Sequence, residues 1–344
     1  MHLCSLPRCT QGQPPTLYAF RALSSRLSGR YNSNTNGLYR HLRQKVNPDE
    51  TPRFTFGTEE KGSDVRKPMD EATIAFVILT WNSAQYVRKC LDSVTALHFG
   101  KVRVYVVDNG SNDETIRITE PYTSGSMDVS LIRLSTNFGT TKSRNMALRK
   151  ISTDVDYICV LDSDTEVNNE AFENLVQKLV DDREESIGLI GPTMRDRKGV
   201  RQLSGRNLPT MGIKIRKAMP VSSLKRRGAA MEVPDAQVID GLQDVGYLLS
   251  ACWLMPSSTL SKVGLLDERI FYAPEDVDYC VRVHQAGLRV AYCADAAIIH
   301  DYQRISQKKI FSIMNMKHFL GLAYYFKKYR YLFNADAAVA KREK

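Results

Sequence analysis

Asp162 and Asp164 stand one residue apart at the end of the apolar run YICVLDSD, residues 157–164. Two carboxylates this close repel, and a fold gains nothing from the arrangement unless a cation shares it. Mg2+ or Mn2+ would remove the repulsion, because such hard ions take oxygen ligands and commonly combine one or two carboxylates with phosphate and water. The competing explanation is a capped, solvated turn. A second acidic group, Glu275-Asp276-Val277-Asp278, precedes a helical pattern from Tyr279 to Ala286 that Gly287 closes. Carboxylates at a helix start can simply answer the macrodipole; they are also candidates for a base that takes a proton from an attacking hydroxyl. His300 ends a further strand-like run, AAIIH. Taken alone, a histidine there is more often structural than a ligand.

The elements that must position these residues can be read from periodicity. Continuous apolar, β-branched runs alternate with helical stretches: TIAFVILT (73–80), a helix near 83–97, VRVYVVD (102–108), a helix start after Asn112, and VSLIRLS (129–135). The series continues with a helix at 140–151, the strand at 157–164, a helix at 169–182 and IGLIGP (187–192). This is the pattern of an α/β domain with a doubly wound, mainly parallel sheet covered on both faces. Such sheets bind ligands at the carboxyl ends of their strands. Those ends carry Thr80 and Asn82, then Asp108, Asn109, Ser111 and Asp113, then Asn137, then Asp162, Ser163 and Asp164. Any one of them can be a helix N-cap, but four consecutive strands delivering polar groups to one rim point to a binding site.

The chain has 344 residues, 43% hydrophobic and 25% charged, enough for one large α/β domain or two small ones. Its net charge of +10 resides in the ends: residues 1–70 carry 11 basic and 6 acidic groups, and residues 301–344 carry 10 and 3. Basic ends on a near-neutral body suit an anionic membrane surface or a polyanion. No zinc-finger, basic-zipper or RNA-recognition signature is present, so nucleic acid is not an expected partner. The seven cysteines form no CxxC pair and read as reduced, buried thiols. No apolar stretch approaches the roughly 18 residues of a membrane span, and the first residues lack a secretory apolar core, so a cytoplasmic protein, peripheral on the inner membrane face, is expected. Residues 1–70 read as a mostly disordered basic tail. The folded body spans 71–303, with a donor half at 73–192, a basic segment at 193–240 and an acceptor half at 241–303. Aromatic and basic helices follow at 304–335, with a tail at 336–344.

The segments TWNSAQYVRKCLDSV, VYVVDNGSND, NFGTTKSRNMAL, VLDSDTEV and LLDERIFYAPEDVDYCVRVHQAGLRVAYCADAAIIH, in this order and spacing, resemble the inverting family 2 glycosyltransferases of GT-A fold, particularly their rhamnosyltransferase-like branch. The resemblance covers about residues 73–330. It implies a nucleotide-sugar donor, a glycan or lipid-linked glycan acceptor, and Mn2+ or Mg2+ as cofactor. It places Thr80, Asn82, Asp108, Asn109, Ser111, Asp162 and Ser163 around the donor. Asn137, Lys142 and Asn145 would meet its diphosphate near a helix amino terminus, where N–H groups favour an anion. Asp164, His300 and Asp162 would hold the metal, Asp276 would be the general base with Glu275 beside it, and Trp253 and Glu275 would face the acceptor. The family carries small residues where Thr140, Thr141 and Lys142 stand, which puts close backbone approach to the donor in question.

Three segments keep two readings each. Residues 195–227, with 11 Lys or Arg and only Asp196 acidic, read as a solvated charge run or as a mobile loop over the cleft. Trp253 reads as an acceptor contact or a core residue. Residues 305–333 read as helices packed on the domain, as an oligomer contact, or as a membrane-facing surface along Tyr324–Phe333. Two other functions remain open at this point: nucleotidyl transfer to a sugar phosphate, and a catalytically degenerate nucleotide- or glycan-binding module.

Overall fold

The computed structural model describes residues 66–202, 204–233, 241–301 and 313–339. The expected tail, and the parts of the basic segment and C-terminal stretch between these ranges, lie outside the described residues. The first half of the domain runs β1 (Thr73–Thr80), α1 (Val87–Thr95), β2 (Lys101–Asp108), α2 (Thr115–Thr119), β3 (Asp128–Arg133), α3 (Thr140–Leu148), β4 (Tyr157–Asp162), β5 (Thr165–Glu166), α4 (Asn169–Asp181) and β6 (Ile187–Arg195). Then come β7 (Arg201–Gln202), β8 (Gly205–Arg206), α5 (Met211–Ala218) and α6 (Ser222–Met231). The remainder is β9 (Leu242–Asp244), β10 (Tyr247–Leu248), β11 (Cys252–Pro256), α7 (Ser257–Val263), α8 (Glu275–Gln285), β12 (Arg289–His300), α9 (Ile313–Tyr329) and α10 (Asp336–Val339).

The main sheet has the order β3-β2-β1-β4-β11-β6-β12-β5, with β7 added to β6 and β9 to β12. Pairings among β1, β2, β3 and β4, and between β6 and β12, are parallel; β11 runs antiparallel to β4 and β6. The sheet is therefore mainly parallel, as expected. Alternation along β1 divides its side chains between two cores. Ile74, Phe76 and Ile78 pack with α1 and α4 on one face, through Leu91 and Phe172. Ala75 and Val77 pack on the other with α3, α8 and α9, through Leu148, Tyr279 and Tyr325. Cys90, Cys159, Cys252, Cys280 and Cys293 are free and buried, the state expected of them.

Two expectations change. The basic segment, read as a solvated charge run or a mobile loop, folds in part as α5 and α6, and α5 is capped by Thr210, whose side chain accepts from the Ile213 N–H. Arg206, Lys214 and Lys217 of this segment converge on the buried Glu232 carboxylate. The aromatic residues of Tyr324–Phe333 mostly face inward. Tyr325, Phe326, Tyr329 and Tyr331 are buried in the second core, because α9 lies against α8. No helix of the described residues is long and apolar enough to cross a membrane.

Asp278 fastens that contact and does not cap its own helix. It is 1% exposed; its Oδ1 accepts from Lys328 Nζ at 2.5 Å and from the Tyr329 hydroxyl at 2.9 Å, and its Oδ2 accepts from Arg282 Nε at 3.2 Å. Removing one member of a buried, hydrogen-bonded charge set leaves the others uncompensated. Asp278→Ala is therefore expected to lower the free energy of unfolding by about 3–5 kcal/mol in urea titrations; a change below about 0.5 kcal/mol, the scale of ordinary surface substitutions, would show that α9 docks without it.

Candidate active site

Sheet register builds the acidic cluster. Thr165 of β5 pairs with His300 at the end of β12, so the turn after β4 is folded back beside the histidine. Ligand atoms of Asp162, Asp164 and His300 lie within 4.8 Å of one another, with His300 Nε2 at 3.6 Å from Asp164 Oδ1. Gln202 on β7 determines how His300 is presented. Its Nε2 donates to the His300 carbonyl at 2.8 Å, which turns its Oε1 to His300 Nδ1 at 2.7 Å. Nδ1 then carries the hydrogen, and Nε2 offers its lone pair to the cluster. Burial lowers the His300 pKa, against the pull of Asp162 and Asp301, which favours the neutral, ligating imidazole.

These residues fit a divalent cation. Burial, reinforced by the Asp162 charge, pushes Asp164 up to about 8, so the metal-free cluster holds its second negative charge at a cost. Two carboxylates and one imidazole leave coordination positions for phosphate oxygens and water, the mixture Mn2+ and Mg2+ accept.

A buried arginine joins this cluster to the second acidic group. Arg144 of α3 is 1% exposed; its Nη2 donates to Asp162 Oδ1 at 2.5 Å and to the Ser250 carbonyl at 3.3 Å, and its Nη1 stands 3.5 Å from Glu275 Oε1. Ser250 Oγ also donates to Glu275 Oε1, at 3.1 Å. Glu275 is thus turned inward, and burial followed by the Asp276 charge raises it to about 8 against the opposing effect of Arg144. Asp276 is half-buried; its Oδ1 accepts from the Val277 N–H at 2.8 Å, one of the first-turn groups that lack intrahelical partners. Its pKa is raised by burial, while the Val277 N–H, Arg206 and Lys214 pull it down. Sequence reasoning passed over Arg144. The available signal was the stripe Thr141, Arg144, Asn145 and Leu148, helix-spaced and buried, with a cation where an aliphatic residue is usual.

At the ends of β1 and β2, the structure gathers the residues expected around the donor into a network. Asp108 is 1% exposed; its Oδ1 accepts from Thr80 Oγ1 at 3.0 Å and from Ser111 Oγ at 2.5 Å, and its Oδ2 accepts from the Ser111 N–H at 3.0 Å. Asn82, in the left-handed region at φ 51°, donates its N–H to Ser111 Oγ and accepts from the Asn112 N–H at its Oδ1. Thr80 is fully buried and orients Asp108 in place of lining a pocket. Ser163, also buried, donates to Ser83 Oγ, just past the end of β1.

The proposed diphosphate contact at the start of α3 is not supported. The Phe138 N–H donates to Asn109 Oδ1, the Gly139 N–H to Asn137 Oδ1 and the Thr140 N–H to the Phe271 carbonyl, so these groups already have acceptors. Gly139 has φ 88°, and a Cβ there would lie 2.1 Å from the Phe271 oxygen; the 270–272 loop covers this end of the helix. Thr140 and Thr141 donate through their hydroxyls to the Tyr272 and Ile270 carbonyls. The departure from small residues therefore tethers that loop. Asn145 is fully buried, donating to the Leu266 carbonyl and Glu268, and Lys142 lies 4.7 Å from the Phe138 ring centre. Trp253 is likewise a core residue: fully buried on β11, stacked on Tyr279, with its indole N–H donating to the Leu248 carbonyl.

Residues 75–222 match the family model for glycosyl transferase family 2. The chain carries a family 2 glycosyltransferase domain. It is 25% identical over 233 residues to the N-acetylglucosaminyl-diphospho-decaprenol L-rhamnosyltransferase of Mycobacterium tuberculosis, covering 65% of this chain and 74% of that protein. It is 26% identical over 232 residues to the pre-mycofactocin glycosyltransferase of the same organism, covering 67% of this chain and less than half, 43%, of that one. The mannosyltransferase PcManGT from Pyrobaculum calidifontis, solved with GDP-Man and Mn2+, superposes with a TM-score of 0.51 at 15% identity, over 77% of this chain and 68% of that one. The fold of this glycosyltransferase is GT-A.

The raised carboxyls give a pH signature. Ordinary values are 4.5 for Glu275 and 3.8 for Asp164, and both rise to about 8 in the folded chain. The folded state thus holds these protons more tightly than the unfolded chain, so their stabilisation is complete below about pH 4 and is lost as pH rises through about 8. In EDTA, melting temperature is expected to fall toward pH 8, less steeply in Glu275→Gln, and added Mn2+ should restore it at pH 8. Equal pH slopes in the two proteins and no response to Mn2+ would contradict the assigned protonation states.

Proposed function

We propose that the glycosyltransferase moves a hexose or a deoxyhexose such as rhamnose from a UDP- or dTDP-sugar to a glycan or lipid-linked glycan acceptor, with inversion. The observation that carries this reading is that one buried Arg144 pairs both with Asp162 of the Asp162–Asp164–His300 cluster and with Glu275, the neighbour of Asp276. The donor's diphosphate and the acceptor's hydroxyl would meet across that side chain. The named substrate of the Mycobacterium rhamnosyltransferase, a diphospho-decaprenol, supports the lipid-linked alternative.

Bound by Asp162, Asp164 and His300, Mn2+ or Mg2+ would neutralise charge developing on the leaving nucleoside diphosphate. The chain's own groups do the rest. Asp276 accepts the acceptor's proton at its carboxylate, and its raised pKa makes it a stronger base than an exposed aspartate. Glu275, held by Ser250 and Arg144, supports the helix start beside it. Arg144 holds the Asp162 carboxylate in place. The network of Asp108, Ser111 and Asn82 shapes the nucleotide end of the rim.

Asp276→Asn keeps volume and removes the base. Its rate of nucleoside diphosphate release with acceptor present should fall about 10²–10⁴-fold, while UDP or dTDP binding with Mn2+, measured by calorimetry, stays within about twofold. Undiminished turnover would remove Asp276 from the reaction. Release of pyrophosphate in place of nucleoside diphosphate would indicate nucleotidyl transfer.

A further inference from the structure

Helix α9 has two apolar sides, and the domain covers only one. Gly321, Tyr325, Phe326 and Tyr329 are buried, whereas Met316, Phe319, Leu320, Ala323, Lys327 and Arg330 are exposed. Their spacing of three and four residues puts the first five on one outer stripe, apolar at its start and basic at its end, and Arg330 follows just past the last turn of the helix. Met316, Phe319 and Leu320 are 59, 70 and 60% exposed. Beyond the helix, Phe333 is 71% exposed, and the Leu332 carbonyl accepts from the Met211 N–H at 2.7 Å, which joins the start of α5 to this region. One turn on from Met211, Ile215 is 51% exposed.

Charge identifies what this face suits. Residues 204–233 and 313–339 contain 11 Lys or Arg against two acidic residues; Arg206, Lys214 and Lys217 converge on Glu232 and Lys328 turns inward to Asp278, which leaves seven basic side chains outside those pairs. A second copy of the chain would set positive against positive. Residues 1–65, with nine basic and five acidic groups, carry the same sign. Nucleic acid would leave the apolar end of the stripe in water. An anionic bilayer satisfies both ends at once, taking the apolar side chains below its headgroups and the basic ones against its phosphates.

The helix that carries this face also packs, by its other side, next to the proposed base. A Cβ on Gly321 would be 2.1 Å from the Ala273 carbonyl oxygen, and Lys317 Nζ sits 3.3 Å from the Phe271 ring centre. The inner side of α9 is therefore in contact with the turn that leads through Pro274 into Glu275 and Asp276. We propose that the outer stripe of α9, with the neighbouring start of α5, docks the enzyme on an anionic lipid surface and holds Asp276 toward an acceptor carried there. The choice of a membrane-borne acceptor rests on the glycosyl-transfer reading; the docking itself does not.

The test is flotation of the full-length chain with vesicles of phosphatidylcholine alone or mixed with phosphatidylglycerol, without donor or acceptor. The wild type and Asp276→Asn should bind the mixed vesicles equally, bind phosphatidylcholine alone poorly, and lose binding as salt is raised. Phe319→Ser/Leu320→Ser removes two exposed apolar anchors, and Lys327→Glu/Arg330→Glu reverses two charges; each pair should weaken binding about tenfold or more. Circular dichroism checks that both variants fold. Unchanged binding by both folded variants, equal binding to the two vesicle types, or a variant-sensitive dimer in light scattering without vesicle binding would overturn the proposal. Because no sugar transfer is read, loss of docking is distinguishable from loss of the transferase assignment, which a water-soluble acceptor tests separately.

Discussion

The site is organised by a charge imbalance at the end of β4. Asp162, Asp164 and Glu275 are brought close by the sheet and by α8, and among them Arg144 is the cation that pairs directly with two of the three. Its burial makes the pairing strong and also makes it necessary, because an uncompensated carboxylate at that depth is costly. Arg144 serves Asp162 and Glu275 and leaves Asp164 facing His300. The raised pKa of Asp164 and the Gln202-held imidazole of His300, with its hydrogen on Nδ1, both describe a cluster completed by a further positive charge.

The same arrangement links the two halves of the domain. Arg144 is on α3, between β3 and β4 in the chain, and its partners Ser250 and Glu275 come from the other half. Thr140, Thr141 and Asn145 of the same helix hold the 266–272 stretch that leads to Pro274. From the far side, α9 packs on that turn at Gly321 and on α8 through Lys328 and Tyr329. The Glu275-Asp276 turn is therefore held between α3 and α9, so its position relative to the acidic cluster is determined by packing and not by a free loop.

Much of this was legible in the residues. The alternation of apolar strands and helices matched β1–β4 and β6 to within a few residues at the element ends, but not the antiparallel β11 or the short strands β5, β7 and β9, and the strand-end rule pointed to the rim. Periodicity could not reveal where side chains turn once there. Asn145, Trp253 and Ser163 carry polar groups that suit a ligand, yet each spends them on the protein's own backbone or a neighbouring serine. Thr140 and Thr141 broke a family pattern, and only the 270–272 carbonyls explain them. Gln202 sits on a two-residue strand, too short to leave a periodic signal, and the inward face of α9 depends on the long-range partner Asp278.

The most direct test is titration of metal-free protein with Mn2+, followed by electron paramagnetic resonance of the free ion. The account predicts one bound ion per chain, weakened about tenfold or more in Asp164→Asn and in His300→Ala, and by a similar or smaller factor in Gln202→Leu, which touches the ion only through His300. Absence of binding to the wild type, or an affinity unchanged by Asp164→Asn and His300→Ala, would contradict it.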